Sequence, residues 1–302
     1  MKKEELIKEI NRLKEEKNAL ILAHNYQIPE IQEVADILGD SLKLSIEAAK
    51  TDKDMIVFCG VQFMAESAKL LSPDKTVLLP NDDAGCPMAD MMTVEKLKKL
   101  KDKHPGVPVV TYVNSNTEIK AMSDVCCTSS SAVNIVEKLD ADKIIFGPDR
   151  NLGSYVQKFT DKEIILWDGF CPTHEAVTPE EVKEMKEKYP DAKVMVHPEA
   201  RPDVVKIADF VGSTSQMIDY ASKEEIDKYL VGTEKGILNI MRNQNPDKEF
   251  ILLSEVLICP NMKKTNLEIL YISLNEEKHK IHIDSGIAQK AKKALDKMLE
   301  LS

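Results

Sequence analysis

Leu20-Ile21-Leu22-Ala23-His24-Asn25-Tyr26 is a short apolar run that ends in a polar tip, and the chain uses this design twice more. His24-Asn25-Tyr26 aligns with Tyr112-Val113-Asn114 and then with His197-Pro198-Glu199, at steps of 88 and 85 residues. The register holds further along. Asp36, Asp124 and Asp209 recur at the same two steps, as do Ser41, Ser129 and Thr214, and Gly60, Gly147 and Gly232 follow closely. Each unit closes on cysteine and proline: Cys86-Pro87, Cys171-Pro172 and Cys259-Pro260.

Leu20 to Ala23, Pro108 to Val113 and Lys193 to Val196 read as buried strands. A helix is expected near Pro29, with Ile31, Val34, Ala35 and Leu38 on one face, and another near Pro202 with Val204, Val205 and Ala208. A hydroxyl-bearing turn comes next in each unit: Gly39-Asp40-Ser41, Cys127-Thr128-Ser129 and Gly212-Ser213-Thr214. A second apolar run then stops at the repeated glycine, and a third, such as Thr76 to Leu79 or Glu163 to Leu166, leads to the cysteine. Strands alternating with helices predict an α/β protein of three similar αβα three-layer domains with parallel sheets, related by a pseudo-threefold axis. The expected divisions are residues 1–86, with 283–302 packing on them, then 87–171 and 172–282. Ligands in such folds sit beyond the carboxyl ends of the strands, where the polar tips, hydroxyl turns and cysteines all fall.

Composition narrows the function classes. A length of 302 residues exceeds what one core usually serves, and 43% hydrophobic with 30% charged residues describes a globular chain. The net charge of −10 argues against nucleic-acid binding by accumulated Lys and Arg. Lys2 to Lys17 is amphipathic through Leu6, Ile7, Ile10 and Leu13 and lacks the apolar run of a signal peptide. No run is long enough for a membrane span, so a cytoplasmic protein is expected. Six cysteines in such a chain point to metal or catalytic use rather than to a disulfide framework.

Three polar pairs at equivalent strand tips (His24 with Tyr26, Tyr112 with Asn114, His197 with Glu199) would converge on one axis. Taken singly, each is an ordinary strand-end pair; three in register make a candidate site. The hydroxyl turns read singly as helix caps, and together as sites for carboxylate or phosphate groups. Three thiolates on the axis leave two metal readings. Zinc could take them with water or His174, and a four-iron cluster could take them with one iron left free. Cys59, Cys126 and Cys127 fall outside the repeat and read as small core residues. The lysine-rich runs 96–103 and 290–297 read as helix surfaces, Trp167 as packing, and His104, His279 and His282 as solvated.

The segments Ala23-His24-Asn25-Tyr26-Gln27, Gly39-Asp40-Ser41-Leu42, Phe63-Met64-Ala65-Glu66, Cys86-Pro87-Met88-Ala89, Tyr112-Val113-Asn114-Ser115, Phe146-Gly147-Pro148-Asp149-Arg150-Asn151-Leu152-Gly153, Val196-His197-Pro198-Glu199, Gly212-Ser213-Thr214 and Cys259-Pro260-Asn261-Met262-Lys263 closely resemble the quinolinate synthases. The resemblance runs from about Leu20 to the final helix. It implies condensation of iminoaspartate with dihydroxyacetone phosphate to quinolinate, with loss of phosphate and two waters, on the way to NAD. It also implies one [4Fe–4S] cluster per chain on Cys86, Cys171 and Cys259. Carried over to this sequence, Tyr26, Tyr112, His197 and Glu199 are the expected acids and bases. His24, Ser41, Asn114, Ser129, Ser213 and Thr214 are expected on substrate, with His174 beside them as a supporting or lid residue. An L-aspartate oxidase or aspartate dehydrogenase is the implied source of iminoaspartate. Some family members carry a Cys-x-x-Cys pair at the third ligand. Here no second cysteine lies within three residues of Cys259, so a thiol switch is not expected.

Two other classes fit parts of the sequence. A zinc-dependent lyase or hydrolase would use the same three cysteines. A non-catalytic dicarboxylate-binding protein would need the hydroxyl turns but not the thiols.

Overall fold

In each unit the first apolar run becomes an inner strand with its second strand at the sheet edge. The computed structural model describes residues 1–302. The first sheet holds β1 (Ala19–His24), β2 (Ile37–Gly39), β3 (Met55–Cys59) and β4 (Thr76–Leu78). The second holds β5 (Val109–Tyr112), β6 (Val125–Cys127), β7 (Lys143–Gly147) and β8 (Glu163–Leu166). The third holds β9 (Lys193–Val196), β10 (Phe210–Val211), β11 (Lys228–Gly232) and β12 (Glu249–Leu252). All three are parallel and share one strand order, β2-β1-β3-β4, β6-β5-β7-β8 and β10-β9-β11-β12. The chain leaves the first strand toward one edge and returns to its other side, which opens a crevice at the first strand's carboxyl end. That is the end on which His24, Tyr112 and His197 lie.

Helices cover both faces of each sheet, so successive strand residues enter different cores. In the third sheet Val194, Val196 and Leu230 pack on one side, and Met195, Tyr229 and Val231 on the other. The first two sheets share one continuous core, to which the C-terminal helix Ser285–Leu301 adds Ala291, Ala294, Leu295 and Met298. That helix packs on helix Gln62–Leu71 of the first unit and also on β6 and the turn Thr117–Lys120 of the second. The N-terminal helix Lys3–Glu16 buries Leu6, Ile10 and Leu13 against β1 and against helix Leu267–Glu276, from the other end of the chain.

Four strands per unit stand where three were expected. The missing one in each case is the edge strand, only two or three residues long, and it shortens the helix before it. The helix at Pro29 stops at Val34, with Leu38 in β2, and the helix at Pro202 stops at Val205. The repeated aspartate explains this. Asp36 Oδ2 accepts the Ile21 N–H at 2.8 Å while the Asp36 N–H donates to Ile21 O at 2.9 Å. Asp124 pairs with Val109 in the same way at 2.7 and 3.0 Å, and Asp209 with Val194 at 2.8 and 2.8 Å. Each carboxylate satisfies a strand N–H that would otherwise need a longer edge strand.

Cys59, Cys126 and Cys127 are buried free thiols in strands. Trp167 packs with Met92, Leu97, Val109 and Ile145, and its indole N–H donates to Met91 O at 3.2 Å. Asp124→Ala strips the second sheet of its edge acceptor and should destabilise the fold by about 1–3 kcal/mol, with Asp124→Asn milder because one acceptor remains. Urea unfolding of the two variants beside the intact chain measures the difference.

Candidate active site

The carboxyl ends of the three sheets border one cavity of about 160 Å³. His24 ends β1, Tyr112 ends β5 and His197 follows β9 directly. Each cysteine stands just before a proline, which holds it extended and starts a helical turn: Cys86 before Pro87–Met91, Cys171 before Pro172–Glu175, Cys259 before Pro260 and a turn at Asn261–Lys263. That is the physical content of the repeated Cys-Pro pair.

His24, Tyr26, Ser41, Cys86, Tyr112, Asn114, Ser129, Cys171, His174, His197, Glu199, Thr214 and Cys259 all border the cavity. Ser213 does not. Its hydroxyl lies 3.2 Å from Asp40 Oδ2 and caps helix Thr214–Lys223, while Asp40 in turn caps helix Ser41–Lys50. Thr214, the residue after Ser213, stands at the cavity wall, as do both Asp40 and Ser41. Asn114 presents a buried Oδ1 with no hydrogen-bond partner, an acceptor that a ligand would satisfy.

Glu199 organises the interior. Its Oε1 accepts from the Tyr112 hydroxyl at 2.5 Å, and its Oε2 lies 2.7 Å from His174 Nδ1. His174 Nε2 lies 2.9 Å from Thr233 Oγ1, which lies 2.5 Å from the Tyr26 hydroxyl. With Glu199 ionised, one set of donors satisfies every link. Tyr26 donates to Thr233, Thr233 to His174 Nε2, and His174 Nδ1–H to Glu199. The chain of groups thus runs from the first unit's tyrosine to the second's, through a carboxylate of the third.

His24 and His197 are set the other way round. Their Nδ1 atoms accept the backbone N–H two residues on, at Tyr26 (3.2 Å) and Glu199 (3.3 Å), so each neutral ring carries its proton on Nε2. His197 Nε2 reaches Ser129 Oγ at 3.2 Å. Burial pushes the His24 pKa down to about 4 and that of His197 to about 3, even with Glu199 nearby. Burial acts to raise Glu199, but His197, His174 and the Tyr112 hydroxyl outweigh it and hold the carboxyl well below its usual range. Burial and the Glu199 charge push both tyrosine hydroxyls up.

Cys86, Cys171 and Cys259 are free thiols, and no other cysteine lines the cavity. Burial pushes Cys86 up to about 12 and raises the other two. Backbone N–H groups after each proline work against that: Ala89 and Met88 for Cys86, His174 for Cys171, and Met262 and Asn261 for Cys259. Buried thiols with N–H groups aimed at them become thiolates once a metal supplies positive charge.

The sequence reading missed Asp40, Thr233, Glu234 and Lys263. Glu234 is fully buried and pairs with Lys263 at 2.8 Å, and the ammonium also donates to Tyr26 O. Thr233 and Glu234 directly follow the repeated Gly232, which was the available signal. Close by, a side chain at Gly236 would meet the Tyr26 backbone at 2.6 Å, so only glycine lets the third unit approach this tyrosine.

The neutral histidines make stability acid-sensitive. Below the ordinary histidine value of 6.5 the unfolded chain takes up protons that the buried rings refuse until about pH 4 or 3. Each ring's contribution is therefore present above the unfolded value and lost on acidification, by about 2 kcal/mol per histidine between pH 7 and pH 5. Urea unfolding of the metal-free chain at the two pH values measures the loss. His24→Gln should remove about half of the pH dependence, and equal stability at both pH values would mean that the rings protonate while folded.

The family model described as quinolinate synthetase A protein matches residues 8–300. A quinolinate synthase of Alkaliphilus metalliredigens is 57% identical across the whole of both chains. One from Geobacter sp. is 56% identical over 100% of this chain and 99% of its own length. Quinolinate synthase 1 of Methanosarcina acetivorans is 52% identical over 99% of this chain and 98% of its own. A family match of this extent, on a cavity that brings together the three cysteines and the Glu199 network, shows that the chain belongs to the quinolinate synthase family of enzymes.

Proposed function

We propose that this chain condenses iminoaspartate with dihydroxyacetone phosphate to give quinolinate, losing phosphate and two waters, in NAD biosynthesis. The observation that carries the reading is the buried Tyr112–Glu199–His174–Thr233–Tyr26 network at a cavity also lined by Cys86, Cys171 and Cys259. Three thiols from three units, with no fourth, fit a [4Fe–4S] cluster whose remaining iron has no protein ligand. When bound, such a cluster supplies a Lewis acid for a substrate hydroxyl or carboxylate.

The side chains supply the rest. Isomerisation, imine formation and dehydration each move protons between neighbouring atoms. A carboxylate kept ionised between a tyrosine hydroxyl and a histidine can take a proton and return it along the network. His24 and His197, neutral with Nε2–H, donate hydrogen bonds to anionic substrate groups. Ser41, Ser129 and Thr214 add hydroxyl donors, and the unpartnered Asn114 amide orients the ligand. In this reading Ser213 acts through Asp40 and does not touch substrate. Iminoaspartate would come from an L-aspartate oxidase or an aspartate dehydrogenase. No helix is long and apolar enough to cross a membrane, in keeping with action in the cytoplasm.

One observation favours a zinc lyase as the second reading. The ligand atoms of Cys171, His174 and Glu199 lie within 4.8 Å of one another. Such a site would leave Cys86 and Cys259 without a task.

Anaerobic purification with iron and sulfide counts separates the two. The cluster reading expects a brown protein with about four irons per chain, lost in Cys86→Ser, Cys171→Ser and Cys259→Ser. A colourless protein holding one zinc would overturn it. In the loaded enzyme, Glu199→Gln should lower kcat for quinolinate formation by about 10²–10⁴-fold, the range for removing a general acid–base group. Tyr112→Phe should fall in the same direction, and unchanged rates in both would remove the network from the mechanism.

A further inference from the structure

We propose that Asp149 and Glu234 are positioning residues that fix the main chain of Cys171 and Cys259, whereas Cys86 has no such support. This rests on the reading of the three cysteines as cluster ligands. In every unit the carbonyl two residues before the cysteine accepts a backbone N–H from the segment after the repeated glycine. The pairs are Gln62 N–H to Ala84 O at 2.8 Å, Arg150 N–H to Gly169 O at 2.8 Å, and Lys235 N–H to Leu257 O at 2.9 Å. These bonds align the three loops in space, and the residue just before each donor is Val61, Asp149 or Glu234. All three side chains are buried.

At this common place two units carry a carboxylate aimed at the ligand loop. Asp149 Oδ2 accepts the Cys171 N–H at 3.1 Å while its Oδ1 accepts the Leu152 N–H at 2.8 Å. Glu234 Oε1 accepts the Cys259 N–H at 3.2 Å while its Oε2 accepts the Gly236 N–H at 2.7 Å. Each carboxylate spans from its own loop to the cysteine using both oxygens, so an amide, with one acceptor, can keep only one of the two bonds. The Val61 side chain has no acceptor, and Cys86 is held by the backbone frame alone. Outer groups that orient ligands in this way contribute strongly to metal retention.

The test uses the anaerobically loaded enzyme with Asp149→Asn, Glu234→Gln, and the charge-keeping pair Asp149→Glu and Glu234→Asp, which move the acceptor. Asp124→Asn serves as a control, because it weakens a part-buried carboxylate bond at the amino end of β5, away from Cys86, Cys171 and Cys259. The readouts are thermal unfolding, the electron paramagnetic resonance signal of the reduced cluster, and the rate of iron release to a chelator. Release is expected to be about tenfold faster in the variants at both positions, the lower end of the range for outer-shell partners of a metal. The resonance signal should shift in these variants and stay as in the intact chain for Asp124→Asn. Intact-like release and signal in the charge-keeping variants that fold would overturn the proposal, as would equally fast release in Asp124→Asn. An intact chain that never holds iron would instead overturn the cluster reading itself.

Discussion

A carboxylate standing in for a strand residue is the interaction on which this architecture depends. At Asp36, Asp124 and Asp209 it takes the outward N–H of the first strand, and an edge strand of two or three residues then suffices. Because the edge is so short, the chain turns early and delivers Gly39-Asp40-Ser41, Cys127-Thr128-Ser129 and Gly212-Ser213-Thr214 beside the first strand's tip. The crevice, the hydroxyls and the histidine or tyrosine of each unit thus meet at one level.

Electrostatically, the centre of the site sets neutral histidine and tyrosine donors around the ionised Glu199. Desolvation keeps His24 and His197 uncharged, although Glu199 lies close enough to favour their cations. Neutral rings that donate from Nε2 can bind carboxylate or phosphate oxygens without adding buried charge, which would be costly to hold apart from its partner. Glu199 avoids that cost by accepting from two fixed donors. Glu234 does so with Lys263 and two backbone N–H groups, whereas at Asp149 burial and the Glu199 charge outweigh the backbone N–H groups and push its pKa well above the usual carboxyl range.

The threefold repeat recurs in the three cysteine loops and is broken there in its side chains. A backbone bond two residues before each cysteine is common to all three units, but only Asp149 and Glu234 add a side-chain acceptor. Tyr112 replaces histidine at the second tip in the same spirit, since Glu199 needs a hydroxyl donor there. A symmetric scaffold thereby holds an asymmetric set of groups.

The sequence by itself determined the three parallel αβα layers, the position of the polar tips at the strand ends, and the three cysteines. These follow from local apolar runs and proline and glycine placement, which act within a few residues, and from a repeat that can be read by aligning the chain with itself. It left the edge strands unread because two or three residues carry no periodicity, and it set Ser213 on substrate beside Thr214, although only Thr214 stands in register with Ser41 and Ser129. Only the tertiary structure decided that Ser213 serves Asp40, that Thr233 links Tyr26 to His174, and that Asp149 and Glu234 reach the cysteine main chain. The Tyr112–Glu199 bond spans 87 positions and the Tyr26–Thr233 bond 207. Hydrogen bonds between residues so far apart depend on how the sheets pack, and no local pattern encodes that.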